Sequence, residues 1–285
     1  MFNGCTSLTT APELPAETLA YSCYYSMFSG CTSLINAPEL PAITLATSCY
    51  YSMFSGCTGL LTAPALLPAT TLANSCYYSM FSGCTSLRTA PALPAETLAY
   101  SCYYSMFSRC TSLINAPKLP AKTLATSCYY SMFSGCTSLI NAPELPAITL
   151  ATSCYYSMFS GCTSLINAPE LPAETLANSC YSYIFNGCSK LKSLKVNFTT
   201  WVEGDTTNWL SGVNADGVIE MPKGLEEKFD NSHIPETWGI YYNTDHYFKL
   251  QANEASSVSL KNDKANINLY YNLSSSNEGW QKLTK

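Results

Sequence analysis

Cysteine is the residue type with the most chemical potential in this sequence, and its fifteen copies fall into two evenly spaced series. No two cysteines are spaced C-x-x-C, and separations of 8 or 18 residues within a unit match no zinc signature. Strands of stacked coils would lie about 4.8 Å apart, within disulfide range, but stacked side chains point in parallel rather than converge. We therefore expect buried, reduced ladders acting as small hydrophobic side chains, with some disulfides or a metal as the alternatives.

Groups that could perform acid–base catalysis are few. Only His233 and His246 are present, and His233 lies close in sequence to Asp230 and Glu236. These three could form an acid–base cluster, but a solvated loop is the favoured interpretation. The sequence has no glycine-rich phosphate loop and no G-x-S-x-G motif. We expect no enzymatic activity and no cofactor.

Two arrangements of acidic residues could bind a cation. Glutamates recur at equivalent positions such as Glu39 and Glu144, but Ala65, Ala92 and Lys118 interrupt that series. The segment 214–217 reads Asn-Ala-Asp-Gly, which is part of a calcium-loop pattern without the remaining ligands. We expect surface charge in the first case and a turn in the second, with no metal site.

The elements that would position these residues are set by an internal repeat. The unit C-T-S-L-I-N-A-P-E-L-P-A-x-T-L-A-x-S-C-Y-Y-S-M-F-S-G recurs every 26 residues, with one step of 27 at Leu66-Leu67. Residues 31–56 and 136–161 are identical. A unit of this size cannot bury a core alone, but stacked units can cover one another. The sequence predicts a repeat solenoid.

Each unit has one candidate strand and one candidate helix. Pro38 and Pro41 exclude a helix from the first half, so residues 34–37 are the expected parallel strand, pairing with 60–63 and 87–90. Apolar residues at 23, 24, 27 and 28 have helical spacing, which predicts a short helix or turn. Gly30 would then form the corner, although Arg109 occupies the same place in another unit.

Comparing equivalent positions separates the interior from the surface. Core positions should be nearly invariant, as are those of Leu34, Leu40, Leu45, Cys23, Met27 and Phe28. Positions that accept charged residues should face water, which predicts exposure for Glu39, Ile43 and Thr47, and in part for Tyr25. The same holds for one series of mostly aliphatic residues, which we call the aliphatic column. It comprises Ile35, Leu61, Arg88, Ile114, Ile140 and Ile166.

The aliphatic column is the candidate partner-binding site, because contiguous exposed apolar area marks interaction surfaces. Its alternative origin is simple copying of one residue by duplication. A second candidate is the series of tyrosines at the position of Tyr25, since aromatic rings suit sugars, although packing along the convex side is the favoured interpretation.

The motif M-F-x-G-C-x-x-L, present in six exact copies and two variants (Arg109 for the glycine, Ile184 for the methionine) with an L-P a few residues on, resembles the BspA-like leucine-rich repeats of Bacteroides-type surface proteins. The resemblance covers residues 1 to about 194. It implies a right-handed α/β solenoid with a short parallel strand per coil, and adhesion or binding to a host extracellular protein, a glycan or another bacterial surface. Cysteine at position 23 departs from the aliphatic residue usual in such repeats.

The rest of the chain differs in composition. Residues 1–188 hold eleven charged side chains and the remaining 97 hold twenty-two. We assign 1–194 to the solenoid, 195–242 to a β-rich cap containing three tryptophans, and 243–285 to a partial β-sandwich-like segment. Because Met1 stands where a repeat has its internal methionine, we expect earlier repeats and an export signal upstream.

Composition narrows the class of partner. A net charge of −5 argues against nucleic acid, which binds clustered lysine and arginine. No apolar run approaches the roughly 20 residues that cross a bilayer. The leading hypothesis is therefore a monomeric, extracellular or cell-surface recognition module without catalytic function. The alternatives are a spacer or display stalk, including a phage-fibre-like arm, and the targeting part of a larger surface enzyme.

Overall fold

A computed structural model of the chain describes residues 1–242 and three further strands, Phe248–Lys249, Tyr270–Tyr271 and Gln281–Lys282. Most of the predicted β-sandwich-like segment, 243–285, lies outside the described residues. Through the repeat, the chain winds into stacked coils whose equivalent residues bond to one another at the predicted spacing of 26, with the extra residue taken up at Ala65–Leu66. Leu67 stays in the core there while Leu66 is exposed.

The predicted helix does not form. Over the described residues the structure contains no α-helix, and residues 22–30 of each unit are a run of turns. Ser22, Ser26 and Gly30 have positive φ values of 51°, 49° and 71°, so the chain reverses into the left-handed region at every fourth residue. A turn that repeats every four residues brings apolar side chains to one side almost as a helix of 3.6 residues per turn does. The spacing of the apolar residues therefore led to the wrong prediction of a helix.

The turns carry the main hydrogen bonds between coils. Alternate N–H groups donate to the next coil, as Tyr24 does to the carbonyl of Cys49 at 2.9 Å and Phe28 does to that of Met53 at 2.9 Å. The N–H groups between them donate within the coil, to the residue three positions earlier. Every backbone donor of the segment is thereby paired, which a helix would also have achieved.

The predicted strand at 34–37 is reduced to single paired residues. Asn36 forms isolated parallel bridges with Thr10 and Thr62, and Thr44 forms one with Thr18. Pro38 has no N–H to donate, so a longer ladder cannot develop. The coarse prediction of parallel pairing between coils is confirmed, but the repeat has neither the full strand nor the helix expected of it.

The core consists of ladders of identical residues. Phe54, Cys57, Leu60 and their equivalents in later coils are fully buried. The phenylalanine rings stack in parallel with centroids 5.5–5.7 Å apart from Phe2 to Phe185. Three predicted core residues are less covered. Leu45 and Met27 are half-buried and Cys23 is exposed, because within this chain no equivalent cysteine precedes Cys23 on its outer side.

Beyond the repeat, the pairing column continues into a sheet. Strand β1 (Ser193–Lys195) extends the bridge from Asn167 and pairs in parallel with β2 (Val218–Met221), which pairs in parallel with β3 (Gly239–Tyr242). Strand β4 (Phe248–Lys249) joins β3 antiparallel, and β5 (Tyr270–Tyr271) pairs with β6 (Gln281–Lys282). The open, mainly parallel sheet thus grows out of the coil stack, while the boundaries at 194 and 242 stay a prediction.

The corner at the position of Gly30 has positive φ in every coil, and in one coil arginine takes the place of glycine. Arg109 has φ 60°, close to the 74–75° of Gly83 and Gly135 on either side. A non-glycine residue in the left-handed region costs about 1–2 kcal/mol, partly offset by the flexibility that glycine adds to the unfolded chain.

Replacing Arg109 with glycine should therefore increase the free energy of unfolding by about 1 kcal/mol. Urea denaturation followed by tryptophan and tyrosine fluorescence measures it. Arg109→Ala is the control, because it removes the guanidinium but keeps the Cβ atom and should give no comparable gain. Equal stabilisation by both variants would show that the charge, not the backbone, is the cause.

Candidate partner-binding face

The aliphatic column is exposed along its length. Ile35, Leu61, Ile114, Ile140 and Ile166 have 41–46% of their surface accessible, and Arg88 is exposed among them. The residue before each, such as Leu34 or Leu113, is fully buried. In each coil a leucine thus points into the core and the next side chain points to the solvent. The predicted exposure of the aliphatic column is confirmed. That these residues bind a partner stays a prediction.

A polar ladder runs beside the aliphatic column. The Oγ1 atom of Thr62 donates to the Oδ1 atom of Asn36 at 2.5 Å, and the Nδ2 atom of Asn141 donates to Oδ1 of Asn115 at 3.2 Å. These residues are exposed and also form the bridges between coils. Side-chain hydrogen bonds between coils hold the ladder in register, which makes the adjoining apolar surface a fixed one.

The tyrosines at the position of Tyr25 form a second ladder, half-buried beyond Tyr25, whose stacking leaves no open ring face for a sugar along its interior. From Tyr25 to Tyr156 neighbouring rings lie in parallel with centroids 4.4–4.7 Å apart. Each interior ring is covered on both faces by its neighbours, so only edges and hydroxyl groups face the solvent. Partial burial and the neighbouring phenols raise the pKa of Tyr51 to about 12.

The residues considered for catalysis form one local pair. The Nδ1 atom of His233 lies 2.7 Å from Oδ1 of Asp230, and its ring meets Trp201 edge to face. Desolvation would raise the pKa of Asp230, but hydrogen bonds from His233 and from the N–H of Ser232 outweigh it and lower the pKa. Glu236 lines a nearby surface cavity of about 330 Å³ together with Asp230.

Two of the acidic residues considered for metal binding, Asp216 and Glu170, make contacts of other kinds. The N–H of Asp216 donates to Oδ1 of Asn214 at 2.9 Å, which is the predicted turn. Glu170 lies 3.4 Å from Lys195, which also contacts Glu220 at 3.4 Å. In the part of the chain that the structure describes, no three residues of the types that hold metals come together. Nor is any helix there long and apolar enough for a bilayer.

The cysteines have a role that their spacing did not reveal. All fifteen are free thiols, and thirteen are buried. The Sγ atom of Cys57 donates to the carbonyl of Phe28 at 3.0 Å, and the same bond recurs from Cys31 to Cys188. The first cysteine ladder therefore bonds coil to coil as well as filling space, which identical residue types alone could not indicate.

The end of the second cysteine ladder is also unexpected. Asp205 stands where a further cysteine would, because its carbonyl accepts from Tyr181 as Cys180 does from Tyr155. Its buried carboxylate accepts from the N–H of Ser179 at 2.9 Å. Burial raises the pKa of Asp205. The repeating geometry thus continues past the point where the motif can be recognised.

Comparison with known proteins gives matches to structure only. No family model matches the sequence, and no curated protein matches it. A leucine-rich repeat protein from Bacteroides ovatus is 18% identical, with 85% of this chain and 73% of that one covered and a TM-score of 0.29. A leucine-rich cell surface protein from Faecalibacterium prausnitzii is 14% identical, with 76% and 75% covered and a TM-score of 0.28.

A third solved structure is the pneumococcal vaccine antigen PcpA. It is 16% identical, with 78% of this chain and 60% of that one covered and a TM-score of 0.35.

Proposed function

We propose that this chain is a non-enzymatic recognition module of the cell surface that binds a partner through the aliphatic column. One observation carries the proposal. Aliphatic side chains at one position of five out of six successive coils, interrupted by Arg88, are 41–46% exposed, although that position accepts arginine and lysine elsewhere in the same array. Exposed apolar side chains brought into a continuous row form the kind of surface that proteins use for association.

The rigidity of this face supports binding rather than mere spacing. The main-chain bridges and the side-chain bonds of the Asn36 ladder fix the distance between neighbouring side chains of the column. A surface ordered before binding loses little conformational entropy when a partner docks. The proposed partners are a host extracellular protein, a glycan or another bacterial surface. The surface location rests on the resemblance of the motif.

A spacer or display stalk is the second candidate, because duplication alone would copy an isoleucine from coil to coil. Seven coils about 4.8 Å apart extend only about 35 Å, which is short for a stalk. The chain could also be the targeting part of a larger surface enzyme, and that role would use the same binding face.

The test compares two lysine double variants. Ile114→Lys with Ile140→Lys should abolish binding to any ligand found on panels of extracellular matrix proteins, mucins and bacterial surfaces, lowering the affinity at least about a hundredfold by burying two charges. Ile43→Lys with Ile148→Lys is the matched control, since Ile43 and Ile148 are 61% and 68% exposed in another column.

Both variants should fold, because Arg88 and Lys192 already occupy the first column and Lys122 the second. Surface plasmon resonance with immobilised ligands gives the affinities. Equal loss in both variants, or no ligand on any panel, would favour the spacer.

A further inference from the structure

The basic residues of the stretch 1–188 lie on two neighbouring coils. There are only four, and all lie between 88 and 122. We call them the cation band: Arg88, Arg109, Lys118 and Lys122. Only Glu96 among the array's seven acids lies between Glu39 and Glu144, so the stretch 40–143 carries a net charge of +3 and the rest of the array −6.

None of the four residues of the cation band takes part in an ion pair among the described residues. All four side chains are exposed, and the ion pairs of the described residues join other groups, around Lys195, Lys228 and His233. The two arginines have no acid at the same position of an adjoining coil, since Arg88 lies between Leu61 and Ile114 and Arg109 between Gly83 and Gly135. Each lysine has one, because Glu144 follows Lys118 and Glu96 precedes Lys122.

The cation band adjoins the aliphatic column. Arg88 is a member of the column, and its carbonyl accepts a hydrogen bond of 3.5 Å from the N–H of Ile114. Lys118 follows Ile114 by four residues, which places their Cα atoms at most about 14 Å apart. Arg109 directly precedes Cys110, where that coil begins. Its side chain lies against the corner of the next coil, because a Cβ atom added to Gly135 would lie 3.3 Å from the Cγ atom of Arg109.

We propose that the cation band and the adjoining aliphatic residues form the docking site for an acidic polypeptide segment, one in which aspartate or glutamate alternates with aliphatic side chains. This inference rests on the proposed function and names the partner of the same face. Arginine holds carboxylates with two parallel hydrogen bonds, and arginine beside aliphatic residues is a typical interface composition.

The chemistry favours a polypeptide over other anions. A glycan would gain contact from the cations alone, because the stacked tyrosine rings cover one another's faces and the aliphatic column suits apolar side chains better than sugar hydroxyl groups. Nucleic acid needs more phosphate contacts than four cations provide on a chain of net charge −5. Aliphatic side chains at Ile114 and Ile140 offer an extended peptide apolar contacts between the charges.

The test uses the full chain on an array of random 12-residue peptides, with heparin as a second probe. The bound peptides should be enriched in aspartate and glutamate beside leucine, isoleucine or valine, and their affinity should fall with added salt. Arg88→Ile with Lys118→Ala should weaken the best peptide about tenfold, measured by fluorescence polarisation. Both replacements already stand in the same columns of other coils, so the variant keeps the fold.

The matched control removes two positive charges elsewhere. Lys190→Ser with Lys228→Ala removes two positive charges outside the aliphatic column and should leave the affinity within about twofold. Equal loss in both variants, enrichment of neutral or basic peptides, or binding of heparin alone would overturn the proposal. Should no peptide bind while a panel ligand still depends on Ile114 and Ile140, the acidic partner is refuted and the binding face stands.

Discussion

Raising the pH from 7 to 10 should unfold the solenoid. Burial raises the pKa of Cys49 from its ordinary value of 9.0 to about 11 and that of Cys57 to about 12. Ten further thiols of the two ladders are shifted in the same direction by the same cause. Burial also raises the pKa of the six stacked tyrosines from Tyr50 to Tyr181.

The sign follows from proton release. Above pH 9 an unfolded chain loses its thiol protons while the folded chain keeps them, so the unfolded state binds fewer protons and stability falls as pH rises. The stability is fully present below pH 9 and is lost progressively towards the folded-state pKa values. At pH 10 each thiol that stays protonated in the core lowers the stability of the folded state by on the order of 1 kcal/mol, and a dozen such thiols together are comparable with the roughly 5–15 kcal/mol typical of a domain.

The urea midpoint, measured at half-unit steps from pH 7 to 10 in the presence of reductant, tests this prediction. It should hold steady to about pH 8.5 and then drop sharply. Return to pH 7 should restore the midpoint, which distinguishes ionisation from oxidation. A midpoint that stays constant to pH 10 would mean that the thiols are not buried as the structure has them.

Replacing one phenylalanine of the core ladder with alanine should lower the free energy of unfolding more than any single substitution on the surface. Phe107 is fully buried between Phe81 and Phe133, with centroids 5.7 Å away on both sides. Phe107→Ala removes the apolar contacts and leaves a cavity, which lowers the free energy of unfolding by about 3–5 kcal/mol.

Tyr104→Ala is the control for this substitution. Tyr104 is stacked just as regularly, 4.4 Å from both neighbours, but it is half-buried on the outer surface. Its loss should lower the free energy of unfolding by about 1 kcal/mol. Urea denaturation gives both values, and similar losses would show that stacking rather than burial dominates the coil-to-coil energy.

The interior and the surface could be predicted because eight copies of one pattern show which residue types each position accepts. Ile35 was placed outward because Arg88 and Lys192 share its position, and Leu34 inward because nothing polar does. This reasoning failed for Leu45, which is invariant yet only half-buried. A residue can be the same in every repeat because the repeat was duplicated, and not only because it packs in the core.

Local conformation was harder to predict because similar periods have different causes. The turns at Ser22 and Ser26 need positive φ without glycine, and serine there carries no special sequence signal. The thiol donor of Cys57 and the buried carboxylate of Asp205 depend on which carbonyl or N–H group comes within reach in the neighbouring coil. That information lies in the stacking of coils rather than in the order of residues.

The bonds between coils also determine how the array can evolve. Each coil offers the same donors and acceptors to whichever coil follows, and residues 31–56 and 136–161 are interchangeable letter for letter. Recombination between such copies would insert or remove whole coils. The backbone donors and acceptors at the new junction would still find their partners in the neighbouring coil. Length would then vary freely among descendants of one gene, while the position of the cation band relative to both ends shifted by whole coils with each event.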